Sequence, residues 1–179
     1  MTRLSYADAL PKDLRENFEK ADIIISDIKI DPETDAIPIE KIADRANLIP
    51  SYTANEYGDS TIHLTFAMSN ENKRFAIAKA IANHIANRKE MVANVLKNIE
   101  NNEAFEGERD KYQTVIEKSA NYRDNNDARH LLLPDDIFLI AVEHTKQKAI
   151  NKRQLIHKLA EQFQVTPCLI EQQLTILTK

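Results

Sequence analysis

The sequence predicts a mostly helical α+β protein with a small antiparallel sheet packed on its helices. Most segments carry apolar residues at three- and four-residue spacings, which is typical of amphipathic helices. Glycine occurs only 2 times in 179 residues, whereas ordinary usage of about 7 per cent gives roughly a dozen. Tight turns and glycine-rich phosphate loops are therefore scarce. One stretch alternates instead, with Ile62, Leu64 and Phe66 on one side, and this pattern predicts the sheet.

Length and composition narrow the class of protein. A chain with 42% apolar and 29% charged residues is expected to form a single domain over residues 1–179. Its net charge of −4 makes nucleic acid an unlikely partner, and its single cysteine, Cys168, excludes an intramolecular disulfide. Because the sequence lacks a membrane span and a signal-peptide core, we expect a cytoplasmic protein with no membrane partner.

The N-terminal half is predicted to contain two helices and the sheet. Residues 1–36 are expected to form a helix over about 11–30 and a loop, and a short helix follows from Pro38 to Asn47. Strands are expected over residues 49–57 and 61–66, joined by the turn Gly58-Asp59-Ser60 as a hairpin or meander.

The helix predicted from Ser69 to Asn87 is central to the functional interpretation. Ser69 is placed to cap it, and the helix either ends near Asn87 and restarts or continues to Ile99. Its apolar stripe is expected to face the core and consists of Phe75, Ile77, Ala78, Ile81, Ala82 and Ile85.

The C-terminal half is predicted to be entirely helical. A helix is expected from about residue 108, with Asp124-Asn125-Asn126-Asp127 as a polar interruption that is either a kink or an insertion. The last region, residues 149–179, is expected to form a helix pair. Asn151 caps its first helix, and Thr166-Pro167 begins its second.

Three positions on the Ser69–Asn87 segment carry the chemical interpretation. Lys79 and Asn83 are four residues apart and share a helix face. Two histidines at this spacing bind zinc in an H-E-x-x-H helix, whose glutamate is the general base. In this chain the ammonium group of Lys79 repels a metal, and the amide of Asn83 is a poor zinc ligand. The methyl group of Ala80 cannot accept a proton. No metal or other cofactor is therefore expected.

Four separated motifs resemble segments of the ImmA/IrrE family of bacterial zinc metallopeptidases. In chain order they are residues 38–44 (PIEKIAD), 73–78 (KRFAIA), 128–134 (ARHLLLP) and 159–166 (LAEQFQVT). The resemblance implies a zincin-like domain with a metallopeptidase-like core over residues 37–148.

The resemblance also assigns positions in a substrate cleft. The first zinc histidine is expected at Lys79, the general base at Ala80 and the second histidine at Asn83. His84 matches a common neighbour of that second histidine, which is not itself a ligand. The third ligand of the family is a glutamate. Glu117 takes that position in one register, with about four extra residues before the leucine run, and Asn121 takes it in the other.

These departures lead us to expect a catalytically inactive relative that binds a protein or peptide in the cleft that corresponds to the substrate cleft of the peptidases. Members of the resembling family cleave repressors and regulators of mobile elements or stress responses, so a repressor is the expected kind of partner. Lys79 either pairs with Glu117, with added hydrogen bonds from Asn83 and Asn121, or extends to solvent.

Two alternatives remain open at the level of sequence. One is a divergent zinc peptidase with a rebuilt site made of His84, His130 and Glu117. The other is a DNA-binding regulator that uses the C-terminal helix pair, although its second helix offers Glu171 and glutamines rather than arginines.

Overall fold

A computed structural model describes residues 5–30, 34–52, 61–100 and 109–178. Within these ranges the chain is mostly helical and has one two-stranded sheet, as the sequence predicted. The strands are β1 (Ile49–Ser51) and β2 (Thr61–His63). The helices are α1 (Tyr6–Ala9), α2 (Lys12–Lys20), α3 (Ile39–Arg45), α4 (Asn70–Ile85), α5 (Arg88–Glu100), α6 (Arg109–Leu132), α7 (Asp135–Lys146), α8 (Lys152–Phe163) and α9 (Pro167–Leu177).

Helix α4 lies at the centre of the fold. It packs most extensively on α6 and also contacts α2, α3, α5 and β2. A cluster of buried side chains joins α2, α3, α4, α6 and β2 to other helices, from Tyr6 in α1 to Ile170 in α9. The buried hydroxyl of Tyr6 donates to the carbonyl of Leu131 at 3.0 Å, and burial raises the pKa of Tyr6. Because the core is assembled around α4, this helix is held in a fixed position.

The predicted antiparallel pairing is wrong. β1 and β2 run parallel, with Ile49 opposite Thr61 and Ser51 opposite His63. Each strand is only three residues long, and an alternating apolar pattern identifies a strand without fixing the direction of its partner. The predicted turn at residues 58–60 lies outside the described residues.

The side chains of β2 follow the predicted alternation only in part. Ile62 and Leu64 are buried and His63 is exposed, as expected. Phe66, predicted on the buried side, is 82% exposed because the strand ends at His63 and the alternation is lost. Its ring stacks instead on Tyr52, with centroids 4.7 Å apart.

The predicted helix over residues 11–30 is too long. α2 ends at Lys20 because Asp22 adopts a left-handed conformation with φ of 55°. The amide of Ile23 then donates to the carbonyl of Phe18 at 3.0 Å, and the amide of Asp22 donates to Glu19 at 3.1 Å. This arrangement closes a helix C-terminus. The apolar periodicity of the sequence continues past Lys20, but the helical conformation of the backbone ends there.

Asparagine ends two further helices in the same conformation. Asn47 has φ of 53° after α3, which confirms its predicted role. Asn87 has φ of 48°, so the Ser69–Asn87 segment breaks there and α5 begins at Arg88. The predicted caps Ser69 and Asn151 are also confirmed, since their side chains accept backbone N–H groups of their helices. Thr166, predicted to begin the last helix, caps α9 in the same way. Asparagine tolerates this left-handed conformation, which suits a chain with few glycines.

Candidate functional site

A cleft of about 650 Å³ lies beside the face of α4 that is turned away from the core. β2, α4, the start of α5 and α6 all contribute to its wall. This volume is within the range of about 300–1,000 Å³ that is usual for ligand pockets. Its lining residues are Leu48, Thr61, Ile62, His63, Ala76, Lys79, Ala80, Asn83, His84, Asn87, Glu90 and Asp124.

The sequence of α4 explains why one of its faces is open to the cleft. Ile77, Ile81 and Ile85 recur at four-residue spacing and are buried in the core. Lys79 and Asn83 share a different face and are only half-buried. Because the apolar stripe holds α4 in the core, the position of these two polar side chains is fixed by the fold.

Both polar side chains reach across to α6. The ammonium group of Lys79 donates to the side-chain oxygen of Asn121. The side-chain nitrogen of Asn83 donates to Asp124 at 2.9 Å. The structure thus brings four side chains of α4 and α6 together at the edge of the cleft.

Of the two predicted registers for the third ligand position, the structure brings Asn121 and not Glu117 to Lys79. Glu117 is exposed and accepts a hydrogen bond from Gln113 at 2.8 Å. Within the described residues no ion pair joins Lys79 to Glu117. Asn121 supplies a predicted hydrogen bond to Lys79, whereas Asn83 bonds to Asp124, a residue that the sequence did not indicate as part of the site.

The residues at the positions that the resemblance assigns to zinc ligands do not fit a zinc ion. Zinc sites need electron-pair donors such as imidazole, thiolate or carboxylate. Lys79 and Asn83 instead direct N–H groups at oxygens of α6, and the half-buried Ala80 offers only a methyl group. Neither a metal-activated water nor a general base at position 80 is available from this arrangement.

A buried ionic cluster, made of Arg88, Asp124 and Asp127, lies next to these contacts. The guanidinium of Arg88 donates to both carboxylates, and the three side chains are at most 11% exposed. Asp124 also accepts the bond from Asn83. The cluster therefore ties the start of α5 to α6 and supports one side of the cleft.

This cluster corrects the predicted interruption at residues 124–127. α6 runs without a break from Arg109 to Leu132. Its acidic residues are tolerated in the helix because Asp124 and Asp127, three positions apart, share the face that meets Arg88. The sequence signal was present as two carboxylates at i and i+3, but their cation lies 36 and 39 positions earlier, a separation that local patterns do not reveal.

The carboxyl of Asp127 has a pKa above its ordinary value. Burial is the larger cause, since it disfavours the charged form, and the hydrogen bond from Arg88 acts in the opposite direction. A single arginine thus faces two buried acids.

The alternative zinc site made of His84, His130 and Glu117 is not assembled. Glu117 and His130 are thirteen positions apart on the same straight element, α6, which separates them by about 20 Å. His84 is exposed at the cleft. Within the described ranges, no group of three or more His, Cys, Asp or Glu side chains is arranged to hold a metal ion.

His130 belongs instead to a polar junction at the end of α6. Its Nε2 lies 2.7 Å from the guanidinium of Arg129, which can only donate, and its Nδ1 lies 3.4 Å from Asp135. Burial lowers the pKa of His130, and the positive charge of Arg129 lowers it further. Nε2 therefore accepts from Arg129, and this contact favours the neutral form of the imidazole.

The C-terminal helix pair is packed into this junction. Gln173 of α9 is fully buried, accepts from Arg129, and donates to the carbonyl of Leu133 at 3.3 Å and to Asp135 at 2.6 Å. α9 contains no lysine or arginine and carries Glu171 on its exposed side. A helix without a cation provides no charged contact to nucleic-acid phosphates.

Comparisons of the chain with protein-family models, with curated proteins and with solved structures give no match. Among the residues described, no helix combines the length and apolar character that crossing a membrane requires.

Proposed function

We propose that this chain is a catalytically inactive, metallopeptidase-like protein that binds a protein or peptide in the cleft beside α4. The observation that carries the proposal is the pairing of Lys79 with Asn121 and of Asn83 with Asp124. The two positions that would present zinc ligands are occupied by side chains that each donate a hydrogen bond to α6, while the cleft beside them is open.

The proposal includes the zincin-like fold and the ImmA/IrrE resemblance. What supports this part is the order of the motifs, together with the place of the Lys79–Asn83 helix in the core and beside a small sheet. The partner we propose is a regulatory protein such as a repressor of a mobile element or of a stress response, bound without being cut.

Binding without cleavage is tested with a mixture of random short peptides blocked at both ends. The purified chain is incubated with the mixture and with equimolar zinc, while mass spectrometry follows the peptides and amide NMR spectra follow the protein. We expect intact peptides and shifted amide signals along residues 76–87. Peptide cleavage that a chelator abolishes would establish an enzyme instead, and unshifted cleft signals would remove the proposed binding site.

A further inference from the structure

Lys79 lacks a carboxylate partner within the described residues. Its ammonium group donates to Asn121, whose side-chain oxygen is a neutral acceptor. A neutral amide satisfies one N–H group but leaves the positive charge uncompensated, and an ammonium group has three donors. Lys79 therefore keeps donors and net charge for a ligand.

The acidic residues of the cleft are already engaged. Asp124 uses one oxygen for Asn83 and the other for Arg88. Glu90 accepts a hydrogen bond from the side-chain amide of Asn87, three residues earlier. Within the described residues neither carboxylate forms a hydrogen bond or an ion pair with Lys79, so its half-buried ammonium group can pair with an acidic group of a ligand.

The surroundings of Lys79 strengthen its interaction with an anionic group that binds there. The side chain is half-buried on α4 and lines the cleft together with Ala76, Ala80 and Asn83. Asn121 accepts its hydrogen bond. A charge-assisted hydrogen bond in a partly desolvated site is stronger than one at an open surface.

From this charge arrangement we infer that the cleft recognises a carboxylate of its partner and binds it through the ammonium group of Lys79. The inference rests on the proposed binding function and names the chemistry that the cleft selects. The carboxylate comes either from an aspartate or glutamate side chain of a bound segment or from a free chain terminus. Lys79 thus supplies the positive charge beside the cleft.

The test uses short peptide pools that are fixed at one central position and random, but without aspartate and glutamate, at all others. One pool has glutamate there and a second has glutamine, both with blocked termini, and a third has central glutamine and a free C-terminal carboxylate. Affinity is measured from the amide shifts of residues 76–87. We expect the glutamate pool or the free-carboxylate pool to bind about tenfold more tightly than the blocked glutamine pool, and whichever pool does so identifies the source.

Matched variants connect the preference to one side chain. Lys79→Met is expected to abolish the preference for carboxylate, and Lys79→Arg is expected to retain it. Lys73→Met is the control, since Lys73 lies on the same helix but is placed over the ring of Tyr52, 5.4 Å from its centroid, and does not line the cleft. Thermal unfolding of each variant verifies that it is folded.

The outcomes separate this inference from the function on which it rests. Equal binding of all pools at the cleft would overturn the carboxylate inference and leave the binding function intact. A carboxylate preference that survives in Lys79→Met would also overturn it. If no pool shifts the cleft signals, the binding function itself fails, and the inference fails with it.

Discussion

One face of α4 packs Ile77, Ile81 and Ile85 into the core, whereas the face toward the cleft presents Lys79 and Asn83. The first face is held by apolar burial, which depends on volume and shape and tolerates little change. The second is held by a few hydrogen bonds to α6. The core face therefore fixes the position of α4, while the cleft face determines which groups the site offers to a ligand.

The largest loss of stability is expected from removing Arg88, whose ion pairs hold α5 and α6 together beside the cleft. Arg88→Ala leaves Asp124 and Asp127 buried without their cation, which should lower the free energy of unfolding by about 3–5 kcal/mol. Urea denaturation measures the change. Arg45→Ala is the control, because the ion pair of Arg45 with Asp27 is exposed, and its loss should be far smaller. Equal losses for the two variants would contradict the structural role of the buried cluster.

A nearly equal effect is expected on the core face. Ile81 is fully buried, so Ile81→Ala should cost about 2–5 kcal/mol through lost burial and a residual cavity. The matched variant Ile140→Ala, at a half-exposed position of α7, should stay within about 0.5 kcal/mol. A small loss at Ile81 in thermal or urea unfolding would mean that α4 is not fixed by its apolar stripe.

A third variant tests whether the cleft face keeps the spacing of a metal site. Lys79→His combined with Asn83→His places two imidazoles four residues apart, near the carboxylate of Asp124. Zinc at a hundred times its dissociation constant should then stabilise the protein by about 2.7 kcal/mol, measured as a rise in thermal midpoint. Lys79→His alone should show little response. The same response in both variants would argue against a shared face.

The smallest of these stability effects is expected at the His130 junction, away from both faces. Since the folded state lowers the pKa of His130 below its ordinary 6.5, the unfolded chain binds a proton more readily as the pH falls below that value. The folded state therefore loses stability on acidification, by at most about 1.4 kcal/mol per pH unit. Urea unfolding from about pH 7.5 to about pH 5.5 should show a shallower slope for His130→Gln. An unchanged slope would exclude this contribution.

Local patterns in the sequence predicted most of the helices, the caps Ser69 and Asn151, and the core stripe of α4, because each of these depends on neighbouring residues. The short helix α1 was not predicted. The end of α2 was missed, since Asp22 adopts a positive φ that the continuing apolar periodicity hides. The strand direction was also missed, because the alternation around Ile62 identifies a strand but not the direction of its partner.

The candidate site was predictable on α4 and only in part on α6. The spacing of Lys79 and Asn83 indicated a shared face, and Asn121 was predicted as a hydrogen-bond partner of Lys79, but the partner of Asn83 depends on how α4 and α6 meet in space. Asp124 was predicted to interrupt a helix. Its stabilising contact with Arg88 joins residues 36 positions apart, and the local sequence therefore does not reveal it. Side chains whose role depends on such long-range pairing require the three-dimensional structure.

Filling the cleft with a large side chain tests most directly whether peptides bind there. His84 is exposed and lines the cleft, so His84→Trp obstructs it without disturbing the core. Lys97→Trp adds the same side chain to an exposed position of α5 outside the lining and serves as the control. With fluorescently labelled peptide pools, anisotropy should report binding to Lys97→Trp at the strength of the parent chain and at least about tenfold weaker binding to His84→Trp. Equal binding by both variants would contradict the assignment of this cleft as the binding site.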